Sequence, residues 1–167
     1  MQRVNRPRGK WRDIVFGCIV LLVVLADQLS KTWIRANLDR GESLFDTGFL
    51  RFIHIQNTGA IFGIFKDHSQ TLLIVSIIGI IAILLLVFVL RSRWPFLDSM
   101  LVISAIGLVM GGTIGNQIDR IRLGHVTDFI DFKVWPAWNV ADSAVTVGSI
   151  ILAYCIIFFA FPARHQE

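Results

Sequence analysis

Long apolar blocks constrain what this chain can fold into more than any other feature of its sequence. Residues 69–90, 99–118 and 143–163 contain no charged residue. Each block is close to the roughly 20 residues that a helix needs to cross the hydrocarbon core of a bilayer. A fourth block, 14–26, is followed by polar residues through which a helix can continue to about residue 35. The sequence therefore predicts one integral-membrane domain, residues 1–167, with four transmembrane helices at about 11–35, 69–90, 99–118 and 142–163.

The composition agrees with a membrane protein. Hydrophobic residues make up 54% of the chain and charged residues only 17%, whereas a soluble domain carries about a quarter charged residues. This composition excludes a disordered chain, and the grouping of the apolar residues in long blocks argues against a water-soluble enzyme. The formal net charge of +4 does not indicate nucleic-acid binding, because the basic residues form neither a groove nor a stripe.

Lysine and arginine are distributed unevenly over the two predicted faces of the membrane. Segments 1–13, 91–98 and 164–167 hold 8 of these residues in 25 positions, whereas segments 32–68 and 119–142 hold 7 in 61. Because basic residues are retained on the cytoplasmic side, both termini are predicted to be cytoplasmic and the two longer segments extracytoplasmic. The first apolar block is not followed by a small-x-small cleavage site, so we interpret it as a retained signal anchor.

The outer segment 38–68 is too mixed in composition to cross the membrane. Residues 49–55 are rich in aromatic and β-branched side chains and predict a short strand. The sequence Asn57-Thr58-Gly59 indicates a turn, and the residues after it are apolar again. We expect this segment to lie against the membrane surface.

Ionisable side chains at membrane depth are costly and therefore indicate a functional site. Asp27 is one such residue, and Lys31 follows it at i+4, the favourable order for a helical ion pair. The pair is also compatible with simple charge neutralisation at the outer end of the first helix. In both interpretations the two side chains face a polar interior surface, because lipid would not solvate them.

Glycine recurs at every fourth position from Gly107 to Gly115 in the third predicted span. This spacing forms a smooth stripe on one helix face, where another helix can approach closely. Helix packing alone explains the stripe. Asn116 and Asp119 continue it at the outer end, with Arg120 next to them, so the sequence predicts a polar cluster where the tight helix pair ends.

Two further acids, Asp128 and Asp142, flank the last predicted loop. If their carboxyl groups meet, they share a proton, and one can act as base toward water while the other acts as acid toward a carbonyl oxygen. The apolar neighbours of Asp128 and the helix start at Asp142 favour Asp128 as the acid and Asp142 as the base. Asn139 is a good N-cap that places Asp142 at N3, so a helix-capping role for Asp142 is an alternative. The 13 residues between the acids leave open whether they meet.

Other catalytic chemistries have weaker support in the sequence. It contains no Gly-x-Ser-x-Gly, His-Glu-x-x-His, Walker A or Gly-x-Gly-x-x-Gly motif. A metal site formed by His125 and Asp128 is an alternative without accompanying ligands. Neither a metal nor a cofactor is predicted.

Five short motifs, taken in order along the chain, resemble those of the bacterial lipoprotein signal peptidases, also called type II signal peptidases, a family of membrane aspartic proteases. The five motifs are Asp27-Gln28-Leu29-Ser30-Lys31, Asn57-Thr58-Gly59-Ala60-Ile61-Phe62-Gly63, Gly115-Asn116-Gln117-Ile118-Asp119-Arg120, Val126-Thr127-Asp128-Phe129 and Asn139-Val140-Ala141-Asp142-Ser143.

The resemblance implies an all-α membrane fold of four helices with a small extracytoplasmic β-cradle and an interfacial helix built from segment 38–68. It implies cleavage of diacylglyceryl-modified prolipoproteins just before the lipidated cysteine, at the outer face of the bacterial inner membrane. Asp128 and Asp142 match the catalytic pair of the family. Trp138 departs from it, since the family usually has Phe before the Asn, and we expect a changed pocket contour rather than lost activity. Eight residues match family positions that shape or support the site: Asp27, Lys31, Asn57, Gly59, Asn116, Asp119, Arg120 and Asn139.

Two other functions use polar residues in membrane helices. A small proton- or ion-coupled transporter could use Asp27 and Asp119 as a relay, but it would place acids at mid-membrane and often show internal repeats. A structural subunit could use the same residues only to hold helices together. The partners expected from the resemblance are lipidated prolipoproteins and membrane lipids.

Overall fold

The computed structural model describes residues 9–59, 69–90 and 95–160. A small sheet of three antiparallel strands in the order β1-β2-β3 accompanies the helices. The strands are β1 (Ser43–Leu44), β2 (Arg51–Asn57) and β3 (Val126–Asp131). The long helices are α1 (Gly9–Asn37), α2 (Ser69–Leu90), α3 (Met100–Leu123) and α4 (Val140–Cys155). A single 3₁₀ turn, Pro95–Asp98, precedes α3, and a π-helical turn, Ile156–Ala160, continues α4.

All four predicted helices are confirmed, with differences at their ends. The bounds of α2 are those predicted, and α1 extends two residues further at each end. The prediction for α3 was wrong at its C-terminal end, because the helix continues past residue 118 to Leu123 and is ended by Gly124 at a φ of 76°. Helix α4 begins two residues before the predicted position 142, and the predicted residues 161–163 lie outside the described part of the chain. Among the described residues, three helical stretches are long and apolar enough to cross a membrane: Lys10–Asn37, Met100–Leu123 and Val140–Phe158.

The sheet is the β-structure expected outside the membrane helices. The strand predicted at 49–55 is present as β2, two residues later, and it pairs with β3 on one side and with the short β1 on the other. No helix forms in the described part of the segment expected to supply an interfacial helix, residues 38–59. The rest of that segment, 60–68, lies outside the described residues.

Small residues bring α3 into close contact with α1. A Cβ added at Gly111 would lie 2.8 Å from the Cβ of Val23, and one at Gly107 would lie 3.0 Å from a methyl group of Ile19. Real side chains hardly ever approach so closely, so the predicted glycine stripe is confirmed as a packing surface. The sequence showed one face of α3, and the structure shows that this face covers α1.

A second pair of glycines brings α3 against α4. A Cβ at Gly148 would lie 2.7 Å from the carbonyl oxygen of Ala105, and a Cβ at Gly112 would collide with the carbonyl oxygen of Ala141. Gly112 therefore sets how closely the first turn of α4 approaches α3. The result is a central α3 held between α1 and α4 along most of its length.

A small apolar core attaches the sheet to the C-terminal end of α1. Ile34 and Leu38 are buried there against Phe129 of β3. Burying these side chains fixes the height of β3 relative to the helices, since each contributes about 1.5–3 kcal/mol when fully removed from water.

We expect Gly112→Ala to lower the thermal stability of the detergent-solubilised protein, because the new methyl group collides with backbone at Ala141 and with the side chain of Val145. Overpacking of this kind costs about 1–3 kcal/mol. The matched control is Gly17→Ala in α1, where an added Cβ meets nothing within 4 Å. Thermal unfolding of both variants in the same detergent tests the prediction, and equal midpoints would contradict it.

Candidate active site

A cavity of about 780 Å³ opens between the sheet, the C-terminal half of α3 and the first turns of α4. Asp128 from β3 and Asp142 from the first turn of α4 both line it. Asp128 is almost wholly buried, with 2% of its surface exposed. The structure thus places on one cavity the two acids that the sequence could not bring together. Four further predicted site residues line the same cavity: Asn57, Gly59, Asn116 and Arg120.

Backbone pairing after β3 explains how the two acids become neighbours. The chain turns back beyond Asp131, and the N–H of Trp138 donates to the carbonyl of Ile130 at 3.0 Å. The Trp138 carbonyl in turn accepts from the N–H groups of Phe129 and Ile130, at 3.0 and 2.8 Å. Residue 139, where α4 starts, therefore lies beside β3 and next to Asp128.

The predicted capping role of Asp142 is confirmed, and it coexists with a position on the cavity. The Asn139 side-chain oxygen accepts from the Asp142 N–H at 2.9 Å, and Asp142 Oδ2 accepts from the Asn139 N–H at 3.3 Å. Asp142 Oδ1 accepts a third hydrogen bond, from Asn116 Nδ2 at 2.7 Å. Both oxygens of Asp142 are thus held as hydrogen-bond acceptors.

Two amides hold the carboxyl group of Asp128. Asn139 Nδ2 donates to Oδ1 at 2.8 Å, and Asn57 Nδ2 donates to Oδ2 at 2.9 Å. Asn57 is itself oriented by the Gly59 N–H, which donates to its side-chain oxygen at 2.9 Å. Burial, followed by the charge of Asp142, raises the pKa of Asp128 to about 7. A proton is therefore available on Asp128 near neutral pH.

Trp138 forms part of the cavity wall. Its ring packs on Phe132 at 5.3 Å between centroids, and Phe132 packs on Phe49 at 5.1 Å. This aromatic row links the loop before α4 to the start of β2.

The other predicted site residues lie behind the cavity wall. Asp27 and Lys31 are fully buried and form an ion pair at 2.8 Å, as their spacing predicted. Asp27 Oδ1 also accepts from the Ala141 N–H at 3.0 Å, so the pair fastens the start of α4 to α1. Lys31 reaches two residues of α3 as well, Asp119 at 3.4 Å and the Asn116 side-chain oxygen at 2.8 Å.

Asp119 fastens β3 to the same cluster. Its Oδ2 accepts from the N–H of Thr127, the residue before Asp128, at 3.0 Å. Three partners of this network were not singled out from the sequence: Gln28, Arg35 and Thr127. Arg35 could have been found, because it continues the i+4 spacing from Asp27 through Lys31 on one helix face.

The structure supplies no further ligands for the alternative metal site at His125 and Asp128. Across residues 9–59, 69–90 and 95–160, no three His, Cys, Asp or Glu side chains are grouped so that they could hold a metal ion. At this site the described residues instead form a pair of carboxyl groups, Asp128 and Asp142, held by asparagine amides.

Comparison with known proteins gives a consistent result. The family model described as signal peptidase (SPase) II matches residues 19–158. The chain is 47% identical over 141 residues to a lipoprotein signal peptidase of Dehalococcoides mccartyi, covering 84% of this chain and 88% of that relative. It is 36% identical over 152 residues to a lipoprotein signal peptidase of Moorella thermoacetica, covering 90% and 96%.

Similarity extends to a solved structure. A bacterial membrane enzyme determined by the in meso method at 2.3 Å superposes with a TM-score of 0.79 at 29% identity, covering 91% of this chain and 93% of that one.

The raised pKa of Asp128 makes the stability of the protein depend on pH. An Asp titrates near 3.8 in an ordinary setting, so between pH 4 and 7 the folded protein retains a proton that the unfolded chain has released. Raising the pH through this window should destabilise the wild type relative to Asp128→Asn, by at most about 4 kcal/mol, and the difference should level off above pH 7. Thermal midpoints of the two proteins from pH 4.5 to 8.5 measure the effect.

The Asp142→Asn background is the control for the cause. The charge of Asp142 contributes to the raised pKa of Asp128. When that charge is removed, the pH range over which the stability of the protein changes should therefore become narrower. A difference between wild type and Asp128→Asn that is the same at every pH would contradict the prediction.

Proposed function

The chain belongs to the signal peptidase II family, and on that premise we propose that it removes signal peptides from lipoprotein precursors with Asp128 and Asp142 as its catalytic pair. The family consists of membrane proteases of the aspartic type. The observation that supports the assignment of these two residues is their common position on one cavity, each held by amide donors. The pKa of about 7 on Asp128 allows this carboxyl group to act as the acid of the pair, since acid–base catalysis needs two groups that hold their protons differently.

The different surroundings of the two carboxyl groups suggest their roles. Asp142 lies at the positive end of α4 and is less buried than Asp128, so it acts as the base that takes a proton from water. Asp128 is protonated near neutral pH, so it donates its proton to the scissile carbonyl oxygen as the water oxygen bonds to the carbonyl carbon. The resulting diol collapses when a proton passes to the amide nitrogen and the C–N bond breaks.

The cavity suits a substrate that is partly lipid. Trp135, Trp138 and Val147 give it apolar walls, and Trp135 and Val147 are each about half exposed. Val147 lies in the second turn of α4, on a helix long and apolar enough to span the membrane. The cavity therefore extends toward the bilayer, and a diacylglyceryl-modified cysteine would reach it laterally, with cleavage just before that cysteine.

The transporter alternative has no support in the family or in the site. Asp128 and Asp142 line a cavity between the sheet and the helices, whereas Asp27 and Asp119 form ion pairs and accept backbone hydrogen bonds. Acids so engaged do not form a path across the membrane.

We further propose four spans in the bacterial inner membrane with both termini cytoplasmic, which places the cavity on the extracytoplasmic side. The basis is the threefold higher density of Lys and Arg in the segments assigned to the cytoplasm. A C-terminal fusion to alkaline phosphatase, which is active only outside the cytoplasm, should be inactive. A fusion at residue 40 of a truncated chain should be active, and the reverse pattern would contradict the topology.

Each of the single variants Asp128→Asn and Asp142→Asn should lose turnover of a lipidated prolipoprotein by about a thousandfold, since Asn keeps the shape but cannot exchange the proton. The double variant should lose little more, because residues that act as a unit are not additive. The measurement is the shortened product formed by purified protein in detergent.

Asp131→Asn provides the matched control. Asp131 lies in the same strand as Asp128 and is also buried, but it pairs with Arg51 at 2.7 Å and does not line the cavity. This variant should retain turnover. Substantial cleavage by a folded Asp128→Asn or Asp142→Asn variant would instead favour a purely structural role for the acids.

A further inference from the structure

Asn116 connects a buried ammonium group to a cavity carboxylate. Lys31 Nζ donates to Asn116 Oδ1 at 2.8 Å, and Asn116 Nδ2 donates to Asp142 Oδ1 at 2.7 Å. Lys31 has no exposed surface and Asn116 is 8% exposed. The hydrogen bond between Lys31 and Asn116 is therefore shielded from water. Hydrogen bonds are electrostatically stronger in such a buried environment than in water.

Only one orientation of the Asn116 amide satisfies its neighbours. An ammonium group has three donors and no acceptor, so the group facing Lys31 must be the Asn116 oxygen. Asn139 Nδ2 also points at that oxygen, at 3.1 Å. The Asn139 amide is itself fixed in this orientation, because its Oδ1 accepts from the Asp142 backbone N–H. The Asn139 atom that faces Asn116 is therefore the Nδ2 donor. Rotating the Asn116 amide by 180° would oppose donors to donors on one side and its oxygen to a carboxylate on the other.

We propose that Lys31 is a positioning residue that keeps the N–H of Asn116 directed at Asp142, and so keeps Asp142 in the ionised form that acts as base. The proposal rests on the catalytic pair proposed above and assigns a task to a residue that touches neither substrate nor water. Without the ammonium group, the amide retains only the weaker contact from Asn139. That Nδ2 is already shared with Asp128 Oδ1 at 2.8 Å and the Thr127 carbonyl at 3.4 Å.

The direction of the hydrogen bond matters more here than the net charge of the cluster. The charged groups behind Asp142 are Asp27, Lys31 and Arg35 of α1 and Asp119 of α3, which sum to zero. On the cavity side Asp142 faces Arg120 of α3 and Asp128 of β3. A neutral cluster exerts little field at a distance, so Lys31 acts on Asp142 chiefly through the amide that it orients.

The test compares a double variant with the wild type, because the cluster behind Asp142 is neutral in both. Asp27→Asn/Lys31→Met removes the ammonium group together with one of its counter-charges, which leaves Asp119 paired with Arg35 and the cluster neutral. Asp27→Asn alone retains Lys31 on Asn116 but leaves the cluster with one positive charge, so it shows the effect of charge when the oriented donor is kept. We expect the acid limb of the kcat/KM profile to lie about 0.5–1 pH unit higher in the double variant than in the wild type, with KM at neutral pH unchanged.

A second variant keeps the test decisive if the double variant fails to fold. Asn116→Asp has the same shape and still accepts from Lys31 and Asn139, but it opposes a carboxylate oxygen to Asp142. The acid limb should then move up by more than one unit, because two close carboxylates retain a proton. An acid limb that stays within 0.2 pH unit of the wild type, in the double variant or in Asn116→Asp, overturns the proposal. Failure of the catalytic pair itself is distinguished by cleavage in Asp128→Asn or Asp142→Asn.

Discussion

The structure of the site depends on one buried ammonium group. Lys31 projects from α1 into the region where α3, β3 and α4 meet, and its ion pairs and hydrogen bonds involve Asp27, Asn116 and Asp119. Two of these partners also accept backbone N–H groups, Asp27 from α4 and Asp119 from β3. A single cation therefore fixes the relative positions of the two elements that carry Asp128 and Asp142.

The buried charged cluster is better explained by the positions it gives to α4 and β3 than by a gain in the stability of the fold. Transferring charges out of water costs several kcal/mol for each ion, and the attraction between them recovers this only when every remaining donor and acceptor is satisfied. Here Lys31 has three acceptors, and Asp27 and Asp119 together accept from five donor groups: Lys31, Gln28, Arg35 and the backbone N–H groups of Thr127 and Ala141. An apolar cluster would have filled the same volume, but it could not have held backbone N–H groups of α4 and β3 in register.

The sequence predicts those features that depend on local pattern. Uncharged blocks predict α2 to the residue, i+4 spacing predicts the Asp27–Lys31 pair, and the capping box at Asn139 is found as expected. The C-terminal end of α3 was predicted too early, at residue 118, because hydropathy falls at Asp119 while the helix hydrogen bonds continue to Leu123. The approach of Asp128 to Asp142 was not predictable, because it depends on backbone pairing of Trp138 with β3, which leaves no periodic signal.

One face of α3 carries both the glycines that pack against α1 and the polar residues of the site. The glycine stripe that lets α1 approach at Gly107 and Gly111 ends at Gly115, where an added Cβ would lie 2.6 Å from Asp27 Oδ2. The last glycine therefore makes room for a carboxylate rather than for an apolar side chain, and the next residue, Asn116, passes the influence of Lys31 to Asp142. The same close approach that packs the helices thus determines where the charged cluster forms, since a wider separation of α1 and α3 would leave Lys31 without its acceptors and Asp142 without an oriented donor.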